Sequence, residues 1–139
     1  MNARKPARIL LIDDDPDIHL AVQMILEPLG HKVACYQIGQ AGLEAIRREP
    51  PDLVILDIML THPSEGLQVV CELRRDNHLK SIPLILMSAI GHLLGMEYGR
   101  EVCPDAMSAD LFLEKPFDAQ TLREAVSWIL EQKPGRPDS

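Results

Sequence analysis

Apolar residues in this chain gather into short continuous runs that stop at polar residues, and between these runs lie longer segments that are apolar on one face. Ala7 to Ile12 is such a run, and it stops at three acids, Asp13, Asp14 and Asp15, which predicts a short buried strand. A helix follows, with Asp15 placed to cap it, Pro16 at its first position and Gly30 to end it. The stretch from Val33 to Tyr36 predicts a second, weaker strand. Gly39 to Glu49 predicts a helix with Leu43 and Ile46 on one face, ended by Pro50 and Pro51. Leu53 to Leu56 is wholly apolar and stops at Asp57, the pattern of a buried central strand. Gly66 to Asp76 predicts a helix with Leu67, Val70 and Leu73 on one face. Ile82 to Met87 predicts a strand that ends at Ser88, and Leu111 to Leu113 another that ends just before Lys115 and Pro116. Asp118 can cap a last helix, where Leu122, Ala125, Val126, Ile129 and Leu130 form an apolar stripe.

Five strands alternating with helices imply an α/β domain, with a parallel sheet covered on both faces. The chain has 139 residues, the size of one domain. Its predicted bounds are residues 7–131, with 1–6 and 132–139 as flexible tails; Lys133 to Ser139 holds two prolines and a glycine. A hydrophobic share of 46% excludes disorder for the bulk of the chain. The net charge of −7 repels phosphate backbones and argues against direct nucleic-acid binding. The longest run without a charged residue, Ser81 to Met96, contains Pro83 and is shorter than the about 20 apolar residues of a membrane span. Ile9 to Ile12, behind a basic start, is too short for the apolar core of a signal peptide. Cys35, Cys71 and Cys103 are widely spaced and odd in number, which reads as three reduced thiols in the cytoplasm.

The strand ends carry the chemistry. In an open parallel sheet, sites form at the carboxyl ends of the strands. Here those ends bring Asp13 and Asp14, Asp57, Ser88 and Lys115 from four separate strands to one edge. Each residue alone has a plain structural explanation, since Asp-rich turns cap helices and a single lysine is usually solvated. Those explanations weaken when every strand end points to the same place. Three carboxylates close together repel unless a cation joins them, and hard oxygen ligands suit Mg²⁺. A lysine and a hydroxyl beside the metal would hold phosphoryl oxygens, and one carboxylate can serve as nucleophile to form an acyl phosphate. No glycine-rich phosphate loop is present, so a nucleotide is not the expected donor.

With ILLIDDDP at the first strand, LVILDIML around Asp57, LILMSA ending in Ser88 and Ala89, and FLEKPF around Lys115, the chain resembles the receiver domains of two-component response regulators from Ala7 to Leu130. The resemblance implies a flavodoxin-like, doubly wound sheet of strand order 2-1-3-4-5. It implies that Asp57 is the phosphoacceptor and that Asp13 and Asp14 organise Mg²⁺, with the backbone carbonyl of Met59 as a further ligand. Ser88 would bond one phosphoryl oxygen and Lys115 another. The Lys115–Pro116 peptide would be cis, aiming the lysine inward. Phe112 occupies the place of the family's switch aromatic. The implied partner is a histidine kinase or a histidine phosphotransfer protein, docking beside Ile18, Ala21 and Pro116, and a homodimer formed on phosphorylation is a further option. The implied activity is signalling, with no catalysis beyond the domain's own phosphorylation and slow dephosphorylation.

Two departures from the family pattern stand out. Thr61 takes the place of a proline, and Gly66 arrives one residue late, which points to a rearranged LTHPSEG loop. The segment between Ser88 and Lys115 is roughly five residues longer than the family norm, and its Pro104 should interrupt a helix. Rival readings fit less well. A haloacid-dehalogenase-like phosphatase wants a second acid two residues after its aspartate, where this chain has Met59. A flavodoxin-type cofactor carrier would not place acids where its phosphate should bind. A phosphorylation-independent pseudo-receiver acting as an interaction module would lack an acid, the hydroxyl or the lysine, and this chain has them all. His19, His31, His62, His78 and His92 share no ligand spacing and read as solvated or capping residues.

Overall fold

The computed structural model describes residues 6–58, 63–89 and 109–132. Its five strands are β1 (Arg8–Ile12), β2 (Lys32–Tyr36), β3 (Leu53–Asp57), β4 (Leu84–Ala89) and β5 (Leu111–Lys115). Among the described residues the helices are α1 (Pro16–Leu26), α2 (Gly39–Arg48), α3 (Pro63–Arg75) and α4 (Ala119–Gln132), and a 3₁₀ turn over Glu27–Leu29 follows α1. The strands form one parallel sheet in the order β2-β1-β3-β4-β5, the order that the family resemblance implied.

Alternation along the strands explains why the sheet is apolar on both sides. Leu10, Ile12, Val54, Leu56, Leu84 and Leu86 face one way and pack with Leu43 and Ile46 of α2 and Leu67, Val70 and Leu73 of α3. Ile9, Leu11, Ile55, Ile85 and Met87 face the other way and pack with Val22 and Leu26 of α1 and Leu122, Val126 and Ile129 of α4. These buried faces supply the main favourable term of folding, at roughly 25 cal/mol per Å² of apolar surface.

Local signals set most element ends. The Asp15 side chain accepts from the Asp17 N–H at 2.9 Å, and Pro16 opens α1. Gly30 ends the 3₁₀ turn with φ of 98°, a left-handed conformation suited to glycine. Asp118 caps α4 by accepting from the Thr121 N–H at 2.8 Å. Ile38, before α2, offers no side-chain cap, and Glu65 of α3 instead accepts from the Gly39 N–H at 2.8 Å. Helix α3 starts at Pro63, three residues earlier than the apolar periodicity predicts, because Pro is a favoured first-turn residue. Gly66 therefore lies inside the helix, where a Cβ would stand 2.5 Å from the carbonyl oxygen of Ile58. The glycine lets α3 approach the chain just after Asp57. Strand β4 starts at Leu84 rather than Ile82, since Pro83 has no N–H to give to the ladder.

Two sequence readings are corrected. Cys71 is disulfide-bonded, whereas Cys35 is a free thiol as expected. Spacing along a chain does not show which elements folding brings together, so it could not settle the pairing. His31 is buried, not solvated, and its Nδ1 accepts from the Ala7 N–H at 3.0 Å. The expectations for Met59, Thr61, His62 and the lengthened segment with His92, Cys103 and Pro104 fall outside the described residues, as do those for residues 1–5 and 133–139. No helix among the described residues is long and apolar enough to cross a membrane.

An ion pair at the amino-terminal end of the sheet holds α3 to β4 and β5. Arg74 donates to the carbonyls of Lys80 (2.8 Å) and Ile82 (2.9 Å) and to Asp110 Oδ2 (3.2 Å), which also accepts from the Leu84 N–H at 2.8 Å. Both side chains are largely buried, at 9% and 14% exposure. Removing Arg74 leaves the largely buried Asp110 charge without this cation and the two carbonyls without this donor. Arg74→Met is expected to lower unfolding stability by about 3 kcal/mol in urea denaturation; an unchanged midpoint and slope would show that the pair contributes nothing net.

Candidate functional site

The carboxyl ends of β1 and β3 lie side by side, with Ile12 paired to Leu56, so the next residues, Asp13 and Asp57, emerge at the same edge. Asp13 extends the ladder by one bond, its N–H donating to the Tyr36 carbonyl at 2.9 Å. Its side chain is fully buried. Oδ1 accepts from the Asp15 N–H at 2.9 Å, and Oδ2 accepts from Lys115 Nζ at 2.8 Å. Asp57 is the last residue of β3 and is also buried; its Oδ2 accepts from the same Nζ at 3.0 Å. Asp14 is exposed at the rim. Oxygens of Asp13, Asp14 and Asp57 lie within 4.8 Å of one another.

Lys115 reaches this pair from the end of β5, two strands away from β3. Burial pulls its ammonium pKa down. Hydrogen bonds and charge from Asp13, and then from Asp57, outweigh that and hold it above the ordinary lysine value. Ser88 is buried on β4, one position beyond Met87, the residue paired with Asp57. The structure thus brings together Asp13, Asp14, Asp57 and Lys115, and sets Ser88 on the neighbouring strand. The Lys115–Pro116 peptide is cis.

The remaining predicted residues are placed as follows. Phe112 is paired with Leu86 in the β4–β5 ladder and is 43% exposed. Ile18 and Ala21 are half-buried on α1, which packs beside α4, and Pro116 is exposed. The free thiol of Cys35 lies away from these groups on edge strand β2; burial, aided by the charge of Glu27, pushes it up to about 11, so it is a poor nucleophile at neutral pH. One contact escaped the sequence reading. His19, in the first turns of α1, has its Nε2 within hydrogen-bond distance of the Asp13 carbonyl. The signal was a polar ring six residues after Asp13, on a helix otherwise apolar at neighbouring positions.

Strand order and edge chemistry define a doubly wound, flavodoxin-like α/β domain with an acidic site at its carboxyl edge. Residues 9–127 match the family model described as the response regulator receiver domain, and the chain belongs to that family. It is 32% identical over 135 residues to the transcriptional regulatory protein GlrR of Escherichia coli, covering 94% of this chain and 28% of that protein. It is 30% identical to protein PilH of Pseudomonas aeruginosa, covering 89% of this chain and 98% of PilH. Among solved structures it is similar to a putative response regulator from Chloroflexus aurantiacus (TM-score 0.79, 28% identity, 91% of this chain and 99% of that one). It is also similar to the receiver domain of NtrX from Brucella abortus (TM-score 0.74, 30% identity, 88% and 98%). Relatives such as GlrR are much longer than this chain, whereas PilH is matched over nearly its whole length. The domain is therefore a signalling domain of two-component response regulators.

The Lys115 ion pairs have a pH signature. Because its pKa in the folded protein is raised, its contribution to stability is fully present below the unfolded value of about 10.5 and is lost as pH rises through the folded value. In metal-free protein, the stability difference between wild type and Lys115→Met should stay constant through neutral pH and shrink above pH of about 10.5. A difference that holds unchanged into strong alkali would contradict this assignment.

Proposed function

We propose that Asp57 accepts a phosphoryl group from a phosphohistidine in a Mg²⁺-dependent reaction, and that the phosphorylated domain switches conformation to signal. The observation that carries this reading is the bridge from Lys115 to both Asp13 and Asp57. Three clustered carboxylates against one ammonium leave an excess of two negative charges, which suits a divalent cation with hard oxygen ligands. Asp13, Asp14 and Asp57 would hold it, with the Met59 carbonyl added by resemblance to the family. Bound there, Mg²⁺ supplies positive charge that offsets the incoming phosphoryl oxygens.

The chain's own residues do the rest. A carboxylate oxygen of Asp57 attacks phosphorus, the P–N bond breaks, and its electron pair stays on the departing imidazole nitrogen. Lys115, already within 3.0 Å of Asp57, can pair with one phosphoryl oxygen. Ser88, on the neighbouring strand, can move to meet another. Phosphate adds charge at Asp57 that these two groups answer, and Ser88's movement opens space toward which Phe112, now facing solvent, can turn. The partner is a histidine kinase or a histidine phosphotransfer protein, with Ile18, Ala21 and Pro116 flanking its phosphohistidine.

Intact-mass measurement after incubation with acetyl phosphate and Mg²⁺ tests the chemistry. The wild type should gain one phosphoryl group, and Asp57→Asn or chelation by EDTA should abolish the gain. Using a phosphorylated histidine kinase as donor, Ala21→Glu should slow transfer about tenfold, the effect of roughly 1.4 kcal/mol, and leave the acetyl phosphate rate unchanged. No gain on the wild type, or an equal gain on Asp57→Asn, would refute the acceptor assignment. Unslowed transfer from the kinase would refute the docking surface, whereas equal slowing with both donors would indicate a misfolded domain.

A further inference from the structure

Every polar atom of Asp13 is engaged, and its main-chain carbonyl is met by a side chain rather than by the backbone. The carboxylate is held by the Asp15 N–H and by Lys115, and the main-chain N–H by the Tyr36 carbonyl. The main-chain carbonyl is held by the ring of His19. This carbonyl sits beyond the last residue of β1, where the chain leaves the sheet for the loop before α1, and among the described residues it accepts no ladder bond. A carbonyl only accepts, so Nε2 carries the proton, as it does in one neutral tautomer and in the imidazolium alike. The backbone that carries the ring is anchored: α1 is fixed by its Asp15 cap, and the His19 N–H donates to the Asp15 carbonyl at 3.3 Å.

The peptide bond is planar, so the Asp13 carbonyl and the Asp14 N–H turn as one unit. Holding that plane sets how the two acidic side chains diverge, Asp13 into the buried site and Asp14 to its rim. We propose that His19 is a positioning residue for the divalent-cation site, acting through the Asp13–Asp14 peptide rather than by touching the ion. This rests on the reading of Asp13 and Asp14 as Mg²⁺ ligands. Groups that orient metal ligands through hydrogen bonds are worth about ten- to a hundredfold in affinity.

The test is calorimetric titration of the full chain with Mg²⁺, comparing wild type, His19→Phe and His19→Gln. Phenylalanine keeps a ring and removes the donor, whereas glutamine restores an N–H. The Mg²⁺ dissociation constant should rise about tenfold in His19→Phe and stay within about threefold of wild type in His19→Gln. Melting midpoints in EDTA should be alike, and saturating Mg²⁺ should return the His19→Phe acetyl phosphate rate to the wild-type value. Wild-type affinity in His19→Phe, or equal weakening in both variants, would overturn the proposal. So would a fall in affinity that only tracks a lower melting midpoint in EDTA. If the underlying reading is wrong, the wild type itself takes up no Mg²⁺ and no phosphoryl group, an outcome distinct from all of these, and both proposals fall.

Discussion

Everything at the carboxyl edge of this sheet depends on how three carboxylates are kept within 4.8 Å of one another. Two of them, Asp13 and Asp57, are buried, where like charges at such a distance repel by roughly 3 kcal/mol at an effective dielectric of about 20. Lys115 offsets this by standing 2.8 Å from one and 3.0 Å from the other. The arrangement is stable enough to fold and still carries a surplus of negative charge. Under the proposed function, this incompletely balanced charge is what a cation and then a phosphoryl group would meet.

The scaffold does this by topology. Strand β1 lies between β2 and β3, with α1 on one face of the sheet and α2 and α3 on the other. Chain segments leaving β1 and β3 turn to opposite faces and leave a crevice at the carboxyl ends between them. Asp13 and Asp57 are the first polar residues at those ends, so the crevice is lined before any loop is considered. Lys115 must cross from the edge strand β5, which makes the lysine the longest reach in the site. Gly66 contributes from below, letting α3 close against Ile58, the residue next to Asp57.

What the sequence showed plainly was whatever depends on neighbours along the chain. Leu53 to Leu56 reads as a buried strand because its environment is apolar on both faces, and Asp57 marks where that environment ends. The cap at Asp15 and the stop at Gly30 are local and were legible for the same reason. The five edge residues, from four strands, were legible because strand direction alone carries them to one side. Contacts between elements were not. Glu65 capping α2, Arg74 meeting Asp110 and the His19 ring on the Asp13 carbonyl all join residues whose proximity depends on packing angles. The start of α3 was missed because apolar periodicity begins at Leu67 while the helix begins at Pro63. Cys71 was misread for a related reason, since a disulfide is a statement about three-dimensional distance.

If Lys115 and a divalent cation neutralise the same two buried carboxylates, each should matter more when the other is missing. Melting midpoints of wild type and Lys115→Met, measured in EDTA and in saturating Mg²⁺, give the comparison directly. Mg²⁺ is predicted to raise both midpoints, and to raise that of Lys115→Met by the larger amount, restoring most of what the substitution costs in EDTA. Equal increments in the two proteins, or no increment in either, would contradict a shared site.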